Sequence, residues 1–359
     1  MSLQKYFKAF NQKIKMDYAE KSELASKRDI LLKKLRDSEK LPAFSELNQG
    51  SYSMYTGVEP LDKEYDIDVG LRFKVNKADY ENPMELKNKI YDILEEHTEY
   101  GAIVKKPCVT VTYKKDGEAA YHVDLVVYTY EDKDDLDSQL YLARGIDSKP
   151  EEICWEKSDP KGLIDLINSK YEDEKEDQQQ YKRIIRYMKR WKNLKFNSSG
   201  NAEPPSIGIT LIAAENFTVS KEYDYLEEKY YYDDLDALIG FSKVIKNLFT
   251  FAGVSENGRD LYRIYYYLPS SLSFEPYTDV FKKMSDIYMT DFKDKIDKLV
   301  DDLEKVKDEP DELEQCKLLN KIFGDDFEVP NVKNTAKKQV NCIPPSSTSG
   351  KKIYGFSNH

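Results

Sequence analysis

Tyr65-Asp66-Ile67-Asp68-Val69-Gly70-Leu71-Arg72-Phe73 alternates polar or small residues with Ile67, Val69, Leu71 and Phe73. A period of two is that of an extended strand, so the apolar set shares one face and Asp66 and Asp68 share the other. The apolar face suits burial under helices. Two parallel carboxylates on the remaining face repel each other unless cations lie between them. Two-metal phosphoryl or nucleotidyl transfer uses that arrangement, with ions roughly 3.5–4 Å apart bridged by carboxylate oxygens. By itself an Asp-x-Asp pair in a surface strand is common, and other residues must give it meaning.

Two neighbours do so. Upstream, Gly50-Ser51 opens a turn where a helix can start, and its backbone amides with the Ser51 hydroxyl suit the β- and γ-phosphates of a nucleotide. Gly50 lets the backbone approach those phosphates closely. Downstream, His122-Val123-Asp124-Leu125-Val126 places one acid in an apolar strand, where an unpaired carboxylate is costly. A neighbouring strand can bring Asp124 beside Asp66 and Asp68, there to bind the metal that activates an attacking hydroxyl and to accept its proton.

Around this centre the texture of the chain changes once. Residues 1–37 show helical spacing at Phe7, Phe10, Ile14, Tyr18, Leu31 and Leu35, and Pro42 ends that region. A short run from Phe44 to Leu47 precedes the strands Tyr65 to Phe73, Cys108 to Tyr113 and His122 to Tyr128, with a helix from Met84 to Glu96 between the first two. This order implies a mixed sheet backed by helices. Beyond about residue 160 the strand signal fades, and Gly162 to Tyr171, Tyr181 to Phe196, Ile207 to Phe217, Leu235 to Ala252 and Val280 to Val306 read as helices. Glu172 to Gln180 is polar, either a loop or a solvated helix start. The expected division is a catalytic core with its N-terminal helix over 1–160, a helical domain completing the cleft over 161–329, and a flexible tail over 330–359.

Composition narrows the chemistry. The 359 residues, 40% of them hydrophobic, are enough for one large or two medium domains with a real core. The net charge of −11 is opposite to that of proteins that hold long nucleic acids, so small phosphorylated ligands at a local basic site fit better. Four dispersed cysteines and three histidines argue against zinc modules, disulfide frameworks and His-ligated metals. Carboxylate ligation favours magnesium or manganese. No apolar run approaches a membrane span and the start has no signal core, so a cytoplasmic protein is expected.

The densest basic cluster lies in Ile184-Ile185-Arg186-Tyr187-Met188-Lys189-Arg190-Trp191 and just before it. Ile184, Ile185, Met188 and Trp191 make an apolar stripe, while Lys182, Arg186 and Lys189 share another face. Lys182 and Lys192 read as solvated positions of an amphipathic helix.

Gln49-Gly50-Ser51, then Asp66-Ile67-Asp68 and Asp124, resembles the DNA polymerase β-like nucleotidyltransferase superfamily. The fuller string NQGSYSMYTGVEPLDKEYDIDVGLRF resembles its bacterial cGAS/DncV-like branch, cyclic-oligonucleotide synthases of anti-phage signalling. Ser158-Asp159-Pro160-Lys161-Gly162 is similar to that family's domain junction. Lys189 matches the helix lysine on the donor triphosphate, and Pro205-Ser206 matches the serine that joins it. Asp279-Val280-Phe281 and Phe323-Gly324-Asp325-Asp326-Phe327 also look family-typical, so the resemblance covers residues from about 40 to 328.

The resemblance implies an α+β fold, with a polymerase β-like core built on a mixed β-sheet followed by a helical C-terminal domain. It implies nucleotide binding by Gln49, Gly50, Ser51, Lys189 and Ser206, and two Mg2+ or Mn2+ ions on Asp66, Asp68 and Asp124. The expected activity is template-free joining of nucleoside triphosphates into a cyclic di- or trinucleotide second messenger, with release of pyrophosphate, in bacterial anti-phage (CBASS) defence. ATP or GTP are the expected substrates, with a pyrimidine nucleotide open. No long nucleic acid or membrane is required, the product acts on a separate effector, and the chain is expected to be a monomer. A linear, protein-modifying or small-molecule-modifying nucleotidyltransferase is the alternative. The chain lacks the clustered His/Cys zinc site of the animal DNA sensor, so DNA activation is not implied. Its end, Gly355-Phe356-Ser357-Asn358-His359, differs from the small terminal residue through which many relatives are conjugated.

Overall fold

A computed structural model describes residues 3–330 except 17, 63, 116, 117 and 198; the tail reading for 330–359 lies, from residue 331 on, outside them. Helices α1 (Gln4–Ile14) and α2 (Tyr18–Asp37) precede strand β1 (Phe44–Gln49), the single-turn helix α3 (Gly50–Ser53) and strand β2 (Tyr65–Asn76). Helix α4 (Met84–Leu94) leads to strands β3 (Ala102–Val104), β4 (Val109–Lys115), β5 (Glu118–Tyr130), β6 (Leu140–Arg144) and β7 (Cys154–Ser158). These seven strands form one mixed sheet, in which β1, β2, β5, β4 and β3 are neighbours in that order and β6 and β7 extend from the far end of β5. Only β2 and β5 run parallel; the other pairs are antiparallel.

The alternation read in β2 is the alternation observed. Ile67, Val69, Leu71 and Phe73 are fully buried against Leu31, Leu35, Leu86, Ile90 and Leu94 of α2 and α4. At about 1.5–3 kcal/mol for each fully buried side chain, this face outweighs the repulsion of two carboxylates on the other. A one-residue slip would bury Asp66 and Asp68 instead, so the apolar set fixes the register.

The remaining helices are α5 (Pro160–Ser169), α6 (Lys175–Lys195), α7 (Ser206–Asn216), α8 (Asp234–Asn247), α9 (Asp286–Asp308) and α10 (Glu312–Phe323). They pack around Tyr187, Met188, Leu238, Phe292 and Phe323. Phe7, Phe10 and Ile14 of α1 belong to this second core. Helix α1, read as part of the first half, packs with the helical half, because its apolar stripe meets α6 and not the sheet.

Three further expectations change. The helix read over 1–37 is interrupted where Lys15 bridges Val58 and the Met16 amide donates to Gly57 O. The helix read to Ala252 stops at Asn247, and Thr250–Val254 forms β10, paired with β11 (Asp260–Arg263) after the hairpin β8 (Lys221–Asp224) and β9 (Lys229–Tyr232). The helix read from Val280 starts at Asp286, capped by the Ser285 hydroxyl. The polar stretch 172–180 resolves into a turn and the first residues of α6. No helix among the described residues is long and apolar enough to cross a membrane.

Candidate active site

Sheet register sets the acids side by side. Asp68 of β2 lies opposite Asp124 of β5 on one side and Gln49 of β1 on the other, and Asp66 lies opposite His122. The Asp68 carboxylate turns toward Gly50: a Cβ on that glycine would stand 2.0 Å from Asp68 Oδ2. Gly50 also has φ +68°, a backbone that L side chains rarely adopt. It is thus required by space as well as by conformation, a reason the sequence does not contain.

Burial, then Asp124 and Asp66, push the Asp68 carboxyl up to about 7. Asp66 is raised by burial and by Asp124, with His122 opposing. His122 is itself held between Thr112 Oγ1 at 3.0 Å and Glu64 Oε2 at 3.2 Å. Asp124 Oδ1 accepts from Thr110 Oγ1 at 2.5 Å and lies 4.0 Å from Lys105 Nζ. Among the described residues no three His, Cys, Asp or Glu side chains form a ready-made metal cage. The three aspartates are aligned but not closed. The donor chemistry nevertheless fits a hard divalent cation, since all three are carboxylates and burial with mutual repulsion holds Asp68 far above its ordinary value.

Gly50, Ser51, Asp66, Asp68, Lys189 and Ser206 line one cavity of about 340 Å3. Ser206 is the first residue of α7, whose opening turn also contributes Ile207 and Thr210. A helix N-terminus facing the cavity favours an anion there. Two predicted residues do not line it. Asp124 stands on the neighbouring strand, its side chain taken up by Thr110. Gln49 is tied across β2, where its Oε1 accepts from the buried Tyr128 hydroxyl at 3.2 Å.

Lys189 is 4% exposed and donates to Thr56 O at 3.1 Å and Thr56 Oγ1 at 2.8 Å. Burial, then Lys192, Arg186 and Lys182, bring its amine down to about 7. Among the described residues no carboxylate offsets these cations at the Lys189 amine. A cluster of buried cations of this kind marks a candidate functional site.

The solvated reading of Lys182 and Lys192 is corrected, because both are buried. Lys192 pairs with Glu203. Lys182 belongs to a ladder along α6 that the sequence does not reveal. Lys182 Nζ donates to Met54 O at 2.8 Å, Arg186 Nη2 to Tyr55 O at 3.2 Å, Lys189 to Thr56 O, and Arg190 Nη2 to Glu59 O at 2.8 Å. The i, i+4, i+7, i+8 spacing lines these cations along the loop that follows α3. Tyr55, with φ +55°, sits in a left-handed conformation that costs about 1–2 kcal/mol, and the ladder holds it. Lys182→Met is therefore expected to raise KM for nucleotide about tenfold, the scale of one charge-assisted hydrogen bond, while kcat changes little. Steady-state kinetics check this; an unchanged KM contradicts the ladder's role.

A family profile described as the nucleotidyltransferase domain of cyclic GMP-AMP synthase DncV-like proteins matches residues 44–128, β1 through most of β5. A cyclic GMP-AMP synthase of Escherichia albertii is 29% identical over 177 residues, which is 47% of this chain and 36% of that protein. The aligned stretch thus spans about a third of the relative's length. The Vibrio cholerae DncV cyclic AMP-GMP synthase has a similar fold, with TM-score 0.66 at 17% identity over 92% of this chain and 98% of that one. CdnC of E. coli MS115-1, solved with ATP, superposes with TM-score 0.64 at 17% identity over 91% and 99%. With the mixed sheet, the helical half and the Gly50-Ser51, Asp66, Asp68 and Asp124 motif in register, residues 44–128 match the DncV-like nucleotidyltransferase domain and the chain as a whole shares the fold of the bacterial DncV and CdnC enzymes.

Proposed function

We propose that this cleft joins nucleoside triphosphates, without a template, into a cyclic di- or trinucleotide with release of pyrophosphate. The observation that carries the reading is the single cavity in which Gly50, Ser51, Asp66, Asp68, Lys189 and Ser206 meet.

A donor triphosphate lies with its β- and γ-phosphates on the α3 turn at Gly50 and Ser51, on the Lys189 amine and on the opening turn of α7 at Ser206. Asp66, Asp68 and Asp124 would hold two magnesium or manganese ions, which when bound neutralise the phosphates and polarise the α-phosphorus. The acceptor's ribose hydroxyl sits near Asp124, which takes its proton at the carboxylate oxygen that Thr110 leaves free. The hydroxyl oxygen attacks the donor's α-phosphorus, the α–β bridging bond breaks, and pyrophosphate leaves. A second transfer in the same cleft closes the ring. ATP and GTP fit as substrates. The product is read as a signal for a separate effector in anti-phage defence, a role that rests on the family.

Two measurements bear on this reading. Pyrophosphate should appear from triphosphates and Mg2+ without template or primer, and its absence with all four nucleotides would sink the proposal. Binding should also be linked to protons through Lys189. With its amine at about 7 in the free cleft, Lys189 is largely neutral at pH 8, and a bound triphosphate favours the charged form. Nucleotide binding at pH 8 should take up roughly one proton, and near pH 6 almost none. Calorimetry in buffers of different ionisation enthalpy reads the uptake; Lys189→Arg, which keeps its charge at both pH values, should bind without it, and equal uptake in that variant contradicts the assignment.

A further inference from the structure

A second cavity, of about 350 Å3, opens between α6, α9 and α10 and shares no residue with the cleft. Lys195, Lys295, Lys298, Lys305 and Lys321 surround it, against the single carboxylate of Asp302. Its floor is apolar, built from Trp191, Leu299, Leu318 and Ile322. On α9, residues 295, 298, 302 and 305 recur at three- and four-residue intervals, so one helix face supplies most of the rim.

The contacts within the ring gather the ammonium groups and offset only one of their charges. Lys298 and Lys305 share Asp302, at 2.7 and 3.1 Å. Lys295 Nζ donates to Lys195 O at 2.7 Å and lies 3.9 Å over the Phe196 ring, and Lys195 Nζ donates to Lys321 O at 3.3 Å. Five lysines on one pocket stand out in a chain of net charge −11. Lysine ammonium groups bind phosphate as mobile point charges. The volume lies in the range of small-ligand sites, and an apolar floor under a cationic rim suits a ligand with a flat apolar body and several negative charges. A long duplex would instead need a basic surface that tracks its backbone.

We propose that this pocket is a second ligand site, distinct from the cleft, that binds a nucleoside polyphosphate with the base on the apolar floor at Leu318 and Ile322, beside the buried Trp191, and the phosphates on the lysine rim. Trp155 and Trp191 are the only tryptophans, so Trp155→Phe leaves Trp191 as the sole indole reporter. ATP added with EDTA at low salt should quench Trp191 saturably. The double variant Lys298→Glu, Lys321→Glu, both at exposed positions, should weaken that affinity at least about tenfold, and added salt should weaken it further. Inorganic tripolyphosphate, which has the charge without the base, should bind more weakly than ATP. Equilibrium dialysis with labelled ATP supplies a count independent of fluorescence: two sites in the parent chain, one in the double variant. Lys189→Met should remove the other site and leave this one. An unchanged count in the double variant, quenching lost only in Lys189→Met, or tripolyphosphate binding as tightly as ATP would each overturn the proposal. If the cleft reading alone is wrong, the lysine-rimmed site remains and the Lys189-sensitive one is missing.

Discussion

Asp68→Asn should lower product formation by at least about a thousandfold, the scale expected when a group that holds a reaction's charge is removed, while the variant melts no earlier than the parent at pH 8. The two halves of this expectation come from the same carboxyl group. Asp68 is pushed up to about 7 by burial, then by Asp124 and Asp66. Its folded value lies above its unfolded value near 3.8, so the folded chain retains a proton that the unfolded chain releases. Stability from this group is full below the unfolded value and is lost as pH rises through about 7. At pH 8 without a divalent ion the charged carboxylate is a burden, and asparagine removes it. Magnesium should then raise the melting temperature of the parent and leave that of Asp68→Asn unchanged. Thermal melts with Mg2+ and with EDTA, beside a turnover assay, test both halves. Near-normal turnover in Asp68→Asn, or an equal magnesium response, would refute the assignment.

Gly50→Ala is the second large effect, and it reaches the same carboxylate from the other side. The added methyl would lie 2.0 Å from Asp68 Oδ2, and the φ of +68° adds about 1–2 kcal/mol of backbone strain. The carboxylate must swing away or the α3 turn must move off the phosphates. Turnover should fall at least about a hundredfold, because ångström-scale misplacement of reacting groups has that effect. The melting temperature should fall only by a few degrees, the scale of about 1–2 kcal/mol in a chain of this size. Kinetics and a thermal melt together decide. Activity within a few-fold of the parent would show that Gly50 is needed only as a turn.

Both variants concern positions visible in the sequence, for a physical reason. The β2 alternation is local, and four fully buried apolar residues leave one register for it, so the pattern alone puts Asp66 and Asp68 on the open face. The partner strand β5 follows from the same logic, and Asp124 comes with it. The helix with Lys189 is legible from its apolar stripe. What the sequence does not contain is long-range. The hydrogen bonds of Lys182, Arg186 and Arg190 reach carbonyls 128 to 131 positions away, so a buried ladder looks like a solvated face. The tie from Gln49 to Tyr128 across β2 depends on strand pairing that no local pattern shows. The hairpins β8–β9 and β10–β11 escape a local reading because four- and five-residue strands with exposed aromatics show too little alternation to separate from helix or loop. The apolar stripe of α1 is legible, but nothing local says which half it joins.

Cyclisation itself is decided by the fate of the labelled α-phosphate. The chain is incubated with α-labelled triphosphates, singly and mixed, and with Mg2+, then treated with phosphatase. A small phosphatase-resistant product should form without template or primer and be missing in Asp68→Asn. Label that remains phosphatase-sensitive, or that ends on protein or on extended RNA, would contradict a cyclic product.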